Sequence, residues 1–326
     1  MSVIPPAEAR RSAGRAALPT PDIDPVDIGE PEEDNERPDW MGSLAFMMVH
    51  AACLFVFVVG WSWTAVGTAV ALYFVRMFGI TAGFHRYFSH RSYKTSRWFQ
   101  FCMAFLGTSS AQQGPLWWAA HHRHHHRHSD QPEDIHSPIE KGFFWAHVGW
   151  IMSRKYEKTD TKAIPDMARF PELRFLDDYH IIPPICLATA VFVAGVLLNA
   201  YAPGLGTNGG QMLVWGFFVS TVFLYHGTFT INSLSHVIGT RRFETTDHSR
   251  NNFFLALITM GEGWHNNHHR WHNSERQGFY WWEIDMSHYI LKAMSMVGLV
   301  WDLQTPPKKI YDEAQSNAPL PALRRK

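Results

Sequence analysis

The chain is short of charge, of cysteine and of any net electrostatic sign. Its 326 residues carry 29 Lys+Arg against 29 Asp+Glu, a formal net charge of +0 with histidine neutral. No basic face is advertised, so a nucleic-acid partner is not expected. Charged residues make up only 18%, while aromatics reach 14%. Cys53, Cys102 and Cys186 all sit in apolar runs without metal-ligand spacing. They read as buried thiols, and no disulfide framework follows. The first 40 residues lack the apolar core of a secretory signal. Their early Arg and Ala suit a transit peptide, but the acidic run "DIDPVDIGEPEEDNERPD" argues against one. Residues 1–40 are therefore expected as a disordered tail, 41–304 as a membrane domain and 305–326 as a C-terminal tail.

After Trp40 long uncharged runs begin. Ser43 to Val59 carries no formal charge, and "GWSW" separates it from a second run starting at Thr64. A bilayer core needs roughly 20 helical residues, and Trp61 and Trp63 suit an interfacial turn. Arg76 interrupts the second run. At a rise of ~1.5 Å per residue it lies roughly 21 Å along from Ser62, which lets its side chain reach the far interface. Two further runs, Ile181 to Leu198 and Met212 to about Phe229, complete a count of four spans in two hairpins. Trp98 to Gly107 is apolar but too short to cross, and suits a re-entrant or interfacial helix. The loop Tyr201 to Gln211 has no Lys or Arg, whereas Arg86 to Arg174 has many. The positive-inside rule then puts both termini and the long polar region in the cytoplasm. "GLGTNGG" (Gly204–Gly210) contains a formal G-x-G-x-x-G, but it follows an apolar helix, not a strand, and reads as a turn.

Histidine is what the chain has in excess, 20 residues of it. "HHRHHHRH" puts six into His121–His128, "HRYFSH" supplies His85 and His90, and "GEGWHNNHHRWH" supplies His265, His268 and His269. Residues at i, i+3 and i+4 share a helix face, so the last three point together. In the long tract the same H-x-x-H-H pattern fits His122, His125 and His126, and equally His121, His124 and His125. His85 and His90 are five apart, about 140° around an α-helix, and fit one metal only if the helix bends, or two metals lying between them. Asn232 and His236 fall at i, i+4 where the fourth run ends, an unusual polar pair at that depth. His50, His180, His226 and His288 read as packing or surface residues. His128, His136, His147, His248 and His272 suit surface or supporting roles. Three spaced clusters exceed what a single four-coordinate zinc takes, and suit a pair of metals, for which imidazole accommodates iron. A surface tract that scavenges metal explains His121–His128 but not the spaced partners. "EDIH" (Glu133, His136) and "EGWH" (Glu262, His265) match Glu-x-x-His formally. A carboxylate di-iron bundle needs four facing helices with more glutamates, and Pro132 adjoins the first match.

Together, H-x-x-x-x-H, H-x-x-H-H and H-x-x-H-H between apolar spans resemble the membrane-bound acyl desaturases of the stearoyl-CoA desaturase type, over roughly Trp40 to Asp302. "GITAGFHRYFSHRSYKTSR", "GFFWAHVGW", "NSLSH" and "GEGWHNNHH" carry the likeness, and the "WHNNHH" form looks bacterial. The resemblance implies an all-α integral membrane fold: four transmembrane helices under a helical cytoplasmic cap, in a bacterial inner membrane. It implies nine iron ligands, His85, His90, His122, His125, His126, His236, His265, His268 and His269, with Asn232 near one iron through a water. It implies two irons and O2 as co-substrate, and removal of hydrogens from an unactivated acyl chain to form a cis double bond, usually at Δ9. Gln112 and Trp118 would line the bend of the acyl tunnel. Where animal acyl-CoA enzymes have Arg and Asp before the second box, this chain has Ala120 and His121. Lys155, Lys158 and Lys162 would be left to meet carrier phosphates, and the carrier stays open between CoA, carrier protein and phospholipid. No haem or flavin domain is legible, so electrons are expected from a ferredoxin, rubredoxin or cytochrome b5 type partner. A membrane hydroxylase or alkane monooxygenase, and a non-enzymatic metal-binding membrane protein, are the competing readings.

Overall fold

The computed structural model describes residues 36–316. Helix α1 (Leu44–Val59) leads into α2 (Trp63–Ser89) through the "GWSW" turn. The Ser62 hydroxyl accepts from the Ala65 amide (3.1 Å) and caps α2. Strand β1 (Lys94–Thr95) and helix α3 (Arg97–Thr108) follow, then α4 (Pro115–His128). Short turns and α5 (Pro171–Asp178) precede α6 (Ile182–Tyr201) and α7 (Gly209–His236). The chain closes with α8 (Phe253–Ile258), α9 (His265–Arg270), α10 (Met286–Met296), β2 (Val300–Trp301) and α11 (Lys308–Ser316). The fold is mostly helical. Among the described residues the one sheet is the antiparallel pair β1–β2, Lys94 opposite Trp301.

Helices α2, α6 and α7 are each long and apolar enough to cross a membrane, and α1 is apolar but shorter. At ~1.5 Å per residue, the 20 residues of α6 match a hydrocarbon core of ~30 Å. Most of α6 stays exposed on the molecule, as a lipid-facing surface would. The twelve residues of α3 are too few to cross, and the helix buries Phe99, Met103 and Ala104 against the others. In "GLGTNGG" the residues up to Asn208 form the turn, with Gly206 left-handed at φ 61°, and Gly209 opens α7.

Arg76 departs from its expected reach to the interface. It is buried inside the bundle, donating to Thr221 Oγ1 (2.7 Å), to Ser220 Oγ, and to the carbonyls of Leu72 and Ser109. A guanidinium with five donors finds enough acceptors among small hydroxyls on α7 to stay inside. The cysteines differ too: Cys53 and Cys102 are half-buried and Cys186 is exposed on α6, because these apolar helices face outward. The N-terminal tail lies outside the described residues as far as Asn35. From Glu36 on, the chain is held: Glu36 accepts from Lys141, Lys155 and Tyr156 at 2.7–2.8 Å, and the Asp39 amide donates to Met152. The stretch expected as a C-terminal tail also carries structure, since α11 buries Ile310 beside Phe243 and Phe279. Residues 317–326 lie outside the description.

One core joins the membrane helices to the polar half, with Met77, Phe84, Phe88, Met103, Leu116 and Leu224 in it. α2 and α3 touch backbone to backbone. A Cβ on Gly79 would stand 2.8 Å from the Gly107 amide, and one on Gly107 would stand 2.4 Å from the Phe84 ring. This contact fixes the segment that carries His85.

Candidate metal centre

The last eleven residues of α2, Gly79–Ser89, wind as a π-helix. Their i to i+5 bonding answers the five-residue spacing of the first histidine pair. The His90 amide donates to the His85 carbonyl (3.2 Å), and the two rings sit 4.9 Å apart. An α-helix would have turned them about 140° apart; one extra residue per turn brings them onto one face. α4 begins at Pro115, and its first amides, Leu116 and Trp117, donate to Asp177 Oδ1 (3.0 and 2.9 Å). α9 is pinned by the asparagines of "HNNHH". Asn266 accepts from the Arg242 and Phe243 amides, and Asn267 bonds Asn251, Gln277 and Glu283.

These elements bring nine histidines together in two groups. His85, His90, His122, His126 and His268 form one; His125, His236, His265 and His269 form the other. Within each group the ligand atoms all lie within 4.8 Å of one another, close enough to hold a metal ion. His268 Nε2 is 2.9 Å from the Nε2 atoms of both His85 and His126, and His90 Nε2 is 2.8 Å from that of His122. The groups adjoin, with the rings of His126 and His269 4.5 Å apart. In the long tract the other register is not brought in: His121 Nδ1 lies 2.8 Å from the Trp117 carbonyl, and His124 Nε2 lies 2.9 Å from the Glu133 carbonyl.

Behind the imidazoles stand four carboxylates that sequence patterns did not single out in this role. Asp134 meets His125 Nδ1 (3.0 Å), Asp130 meets His236 Nδ1 (2.8 Å), Asp247 meets His269 Nδ1, and Glu262 meets His85 Nδ1. A proton held on Nδ1 leaves the Nε2 lone pair facing the group, the tautomer a metal needs. Among the described residues His269 Nε2 is buried without a hydrogen-bond partner. Glu262 is in turn gripped by Arg86 (3.0 Å) and Gln277 (2.7 Å). Gly261 (φ 120°) lets the chain through, since a Cβ there would stand 2.3 Å from Asp285. The Glu-x-x-His design is not built: Glu133 is exposed, and Glu262 lies behind a histidine.

Electrostatics fit the same picture. Burial, then mutual repulsion, holds His90, His122, His126, His265 and His268 well below the ordinary histidine value, so they are neutral. His125 is raised: burial opposes its charge, but Asp134 outweighs burial. Asp130, Asp134 and Asp247 are held far below the carboxylate range; burial would raise them, and their histidine partners dominate. An all-imidazole donor set without thiolate fits iron and other first-row divalent ions.

A cavity of about 380 Å³ reaches this cluster, within the usual size of a ligand pocket. Phe46 and Val49 of α1 and Pro184 of α6 line one part; Gln112, Trp118, His122 and Asn232 line another. Trp118 stacks on His122 (4.9 Å), and Gln112 donates to Thr228 (3.1 Å). Ala111 and Gln113 on either side of Gln112 have positive φ (56° and 64°), a bend that the Tyr225 hydroxyl secures on the Ala111 carbonyl (2.9 Å). Asn232 also lines a smaller cavity with His125 and His265. Lys155 and Lys158 do not line the large cavity, and Lys155 is paired with Glu36 (2.8 Å). Among the described residues no Lys or Arg lines it.

The fatty acid desaturase profile matches residues 61–301. The chain belongs to the fatty acid desaturase family. It is 37% identical over 274 residues to an sn-1 stearoyl-lipid 9-desaturase of Anabaena variabilis, covering 83% of this chain and 96% of that protein. A Synechocystis protein of the same name is 37% identical over 277 residues, 83% and 82% of the two chains. An acyl-CoA C20 Delta5-desaturase of Anemone leveillei is 36% identical over 265 residues, 79% of each. This desaturase is an oxidoreductase acting on fatty acyl groups.

Four of the remaining histidines also have closer surroundings than a surface role suggests. His136 is buried, its ring 4.3 Å from that of His125. His50, His226 and His147 form a chain, Nε2 to Nε2 at 3.4 Å and Nδ1 to Nε2 at 3.0 Å, ending on Ser233 (2.9 Å).

Proposed function

We propose that the chain introduces a cis double bond, at Δ9, into a long-chain acyl group carried by a membrane lipid, using two irons and O2. The observation that carries this reading is the pair of adjoining histidine groups, five and four, where an apolar cavity ends. His85, His90, His122, His126 and His268 would hold one iron, and His125, His236, His265 and His269 the other, with Asn232 beside the second through a water. When bound, the irons supply the oxidising power toward O2 that an unactivated C–H bond demands and no side-chain acid or base can provide.

The chain's own residues do the placing. Phe46, Val49 and Pro184 offer an apolar path from the membrane helices, and the bend at Gln112 and Trp118 sets one methylene pair beside His122 and Asn232. Asp130, Asp134, Asp247 and Glu262 keep the Nδ1 protons and so aim the Nε2 atoms. A lipid carrier is favoured over CoA because the cavity has no cationic lining, and Ala120 and His121 stand at the family's CoA-reading positions. Lys155, which is paired with Glu36, and Lys158 would meet headgroup phosphate at the surface. Four spans, with α1 as the first, and a cytoplasmic cap in a bacterial inner membrane follow from the charge asymmetry of the loops. The membrane part is 41–304 in that reading, with Glu36 and α11 packed against it.

Expression in a host lacking the activity, followed by mass spectrometry of its fatty acids, tests the proposal. New Δ9 monounsaturated chains on glycerolipids are expected. Hydroxylated chains would favour a monooxygenase, and unchanged lipids despite two bound irons and a working reductant would rule out both.

A further inference from the structure

The two sides of the histidine centre differ. His122 lines the large cavity, and His85, His122, His125 and His265 line the smaller one. His90 and His126 line neither, and both are only part-buried. On their side stands His272, which is exposed and lies outside both histidine groups. Its ring is 5.3 Å from that of His90 and 5.5 Å from that of His126. One exposed imidazole thus touches two histidines of the same group, on the side away from the cavity.

The segments around this point are cationic. Arg91 follows His90, and it shares Asp166 with Arg123 (2.8 and 2.7 Å), so one carboxylate faces two guanidiniums. Arg127 follows His126, is exposed, and has no ion partner among the described residues. Arg270 is paired with Glu313, and Lys309 lies 5.3 Å over the Trp271 ring next to His272. Arg91, Arg123, Arg127, Arg270 and Lys309 are the cations on these segments, and the carboxylates paired with them are Asp166 and Glu313, in a chain whose formal net charge is +0.

We propose that His272 is where electrons enter, beneath a docking surface for a soluble, acidic one-electron carrier protein. The inference rests on the desaturase reading above. Each reduced carrier gives up one electron and leaves oxidised. Two such deliveries, two protons from solvent and the two hydrogens taken from the acyl chain reduce one O2 to two waters. Substrate then occupies the cavity side while the carrier uses the opposite side, so neither has to leave for the other. Arg91, Arg127 and Lys309 steer the acidic partner, and His272 gives the contact that continues to His90 and His126.

The test uses full-length protein in lipid nanodiscs and a plant-type [2Fe–2S] ferredoxin as the acidic probe. Affinity is measured on iron-loaded and metal-free protein, and reoxidation of the reduced probe is followed by absorbance. Arg127→Glu should weaken binding roughly tenfold at low ionic strength, with the difference shrinking as salt rises. Arg127→Lys should restore it. His272→Ala should leave affinity unchanged and lower the reoxidation rate at saturating ferredoxin. Circular dichroism and iron content matching wild type show that each variant is folded. Binding by Arg127→Glu equal to wild type at low salt, or a wild-type reoxidation rate in His272→Ala, would overturn the proposal. Wild-type protein driven by a small-molecule reductant and assayed for a new double bond tests the desaturase reading separately.

Discussion

Asp130 offers a clean measure of what the carboxylates contribute. One oxygen accepts from His236 Nδ1 (2.8 Å) and the His248 amide (2.7 Å), the other from Ser137 Oγ (2.6 Å). Asp130→Asn keeps the shape: its carbonyl oxygen can serve His236 and His248, and its amide can donate to Ser137. Only the charge facing the His236 Nδ1 proton is removed. Loss of such a partner typically lowers metal affinity by about 10–100-fold, or ~1.4–2.7 kcal/mol. Asp130→Ala also strands three donors, at roughly 1–3 kcal/mol for each that stays buried, and so should lower stability as well. The assay is iron removal by a competing chelator, with iron counted per chain. Wild type should lose both irons over a narrow chelator range. Asp130→Asn should lose one iron at a chelator concentration lower by one to two decades, and hold the other as wild type does. If both irons of Asp130→Asn leave together at the wild-type concentration, the idea that the carboxylate charge tunes the four-histidine group is wrong.

Three further outcomes follow from the same geometry. His122→Ala should abolish new double bonds in expressing cells, whereas His124→Ala, whose ring meets the Glu133 carbonyl and the neighbouring His128, should be far milder; equal losses would refute the division of the tract. Metal-free protein should lose stability on acidification. Burial, chiefly, lowers the pKa of His121 and His269 to about 4, so the unfolded chain takes up more protons below about 6.5. Stability is then full above that pH and falls toward pH 4, which thermal melts across the range would show; a flat profile would contradict it. Gly107→Ala should lower the melting temperature, because its Cβ would stand 2.4 Å from Phe84, an overpacking worth roughly 1–3 kcal/mol. It should also loosen iron, since His85 follows Phe84, and an unchanged melting temperature would mean that α2 and α3 can separate freely.

Much of the centre was legible because metal chemistry restricts residue type. Imidazoles at i, i+3 and i+4 must share a face, and α4 and α9 deliver them that way. The His85–His90 pair was legible as a problem and not as a solution. A π-helix depends on a hydrogen-bond register, and no residue type in "GFHRYFSH" announces it. The supporting carboxylates were hidden for a different reason. Asp130 serves His236, 106 residues away in the chain, and Asp247 serves His269 across a loop, so no local spacing could reveal either. Arg76 misled because hydropathy treats a charge in a span as something to be brought out to water. Whether it can stay inside depends on Ser220 and Thr221, more than 140 residues on. The outward cysteines have the same origin: an apolar helix in a membrane faces lipid as readily as core, and composition does not distinguish the two.

The charge balance of the centre gives a consequence that the ligand count alone does not. A neutral imidazole contributes no charge, yet Asp130, Asp134, Asp247 and Glu262 are buried around the nine histidines; among the described residues Arg86 is the fixed cation paired with one of them, and it also faces Asp285. Buried carboxylates without compensation are costly. With two divalent ions bound, the four carboxylates are matched; without metal, protons must do part of that work. His125 is the evident place, since Asp134 outweighs burial and raises its pKa. Iron binding should therefore expel protons. Titrating metal-free protein with Fe²⁺ near neutral pH in two buffers of different ionisation enthalpy would measure the number released. Asp134→Asn should release fewer than wild type, because His125 then has no carboxylate to hold its proton. Equal proton release in the two proteins would mean that charge is balanced somewhere other than at the His125–Asp134 pair.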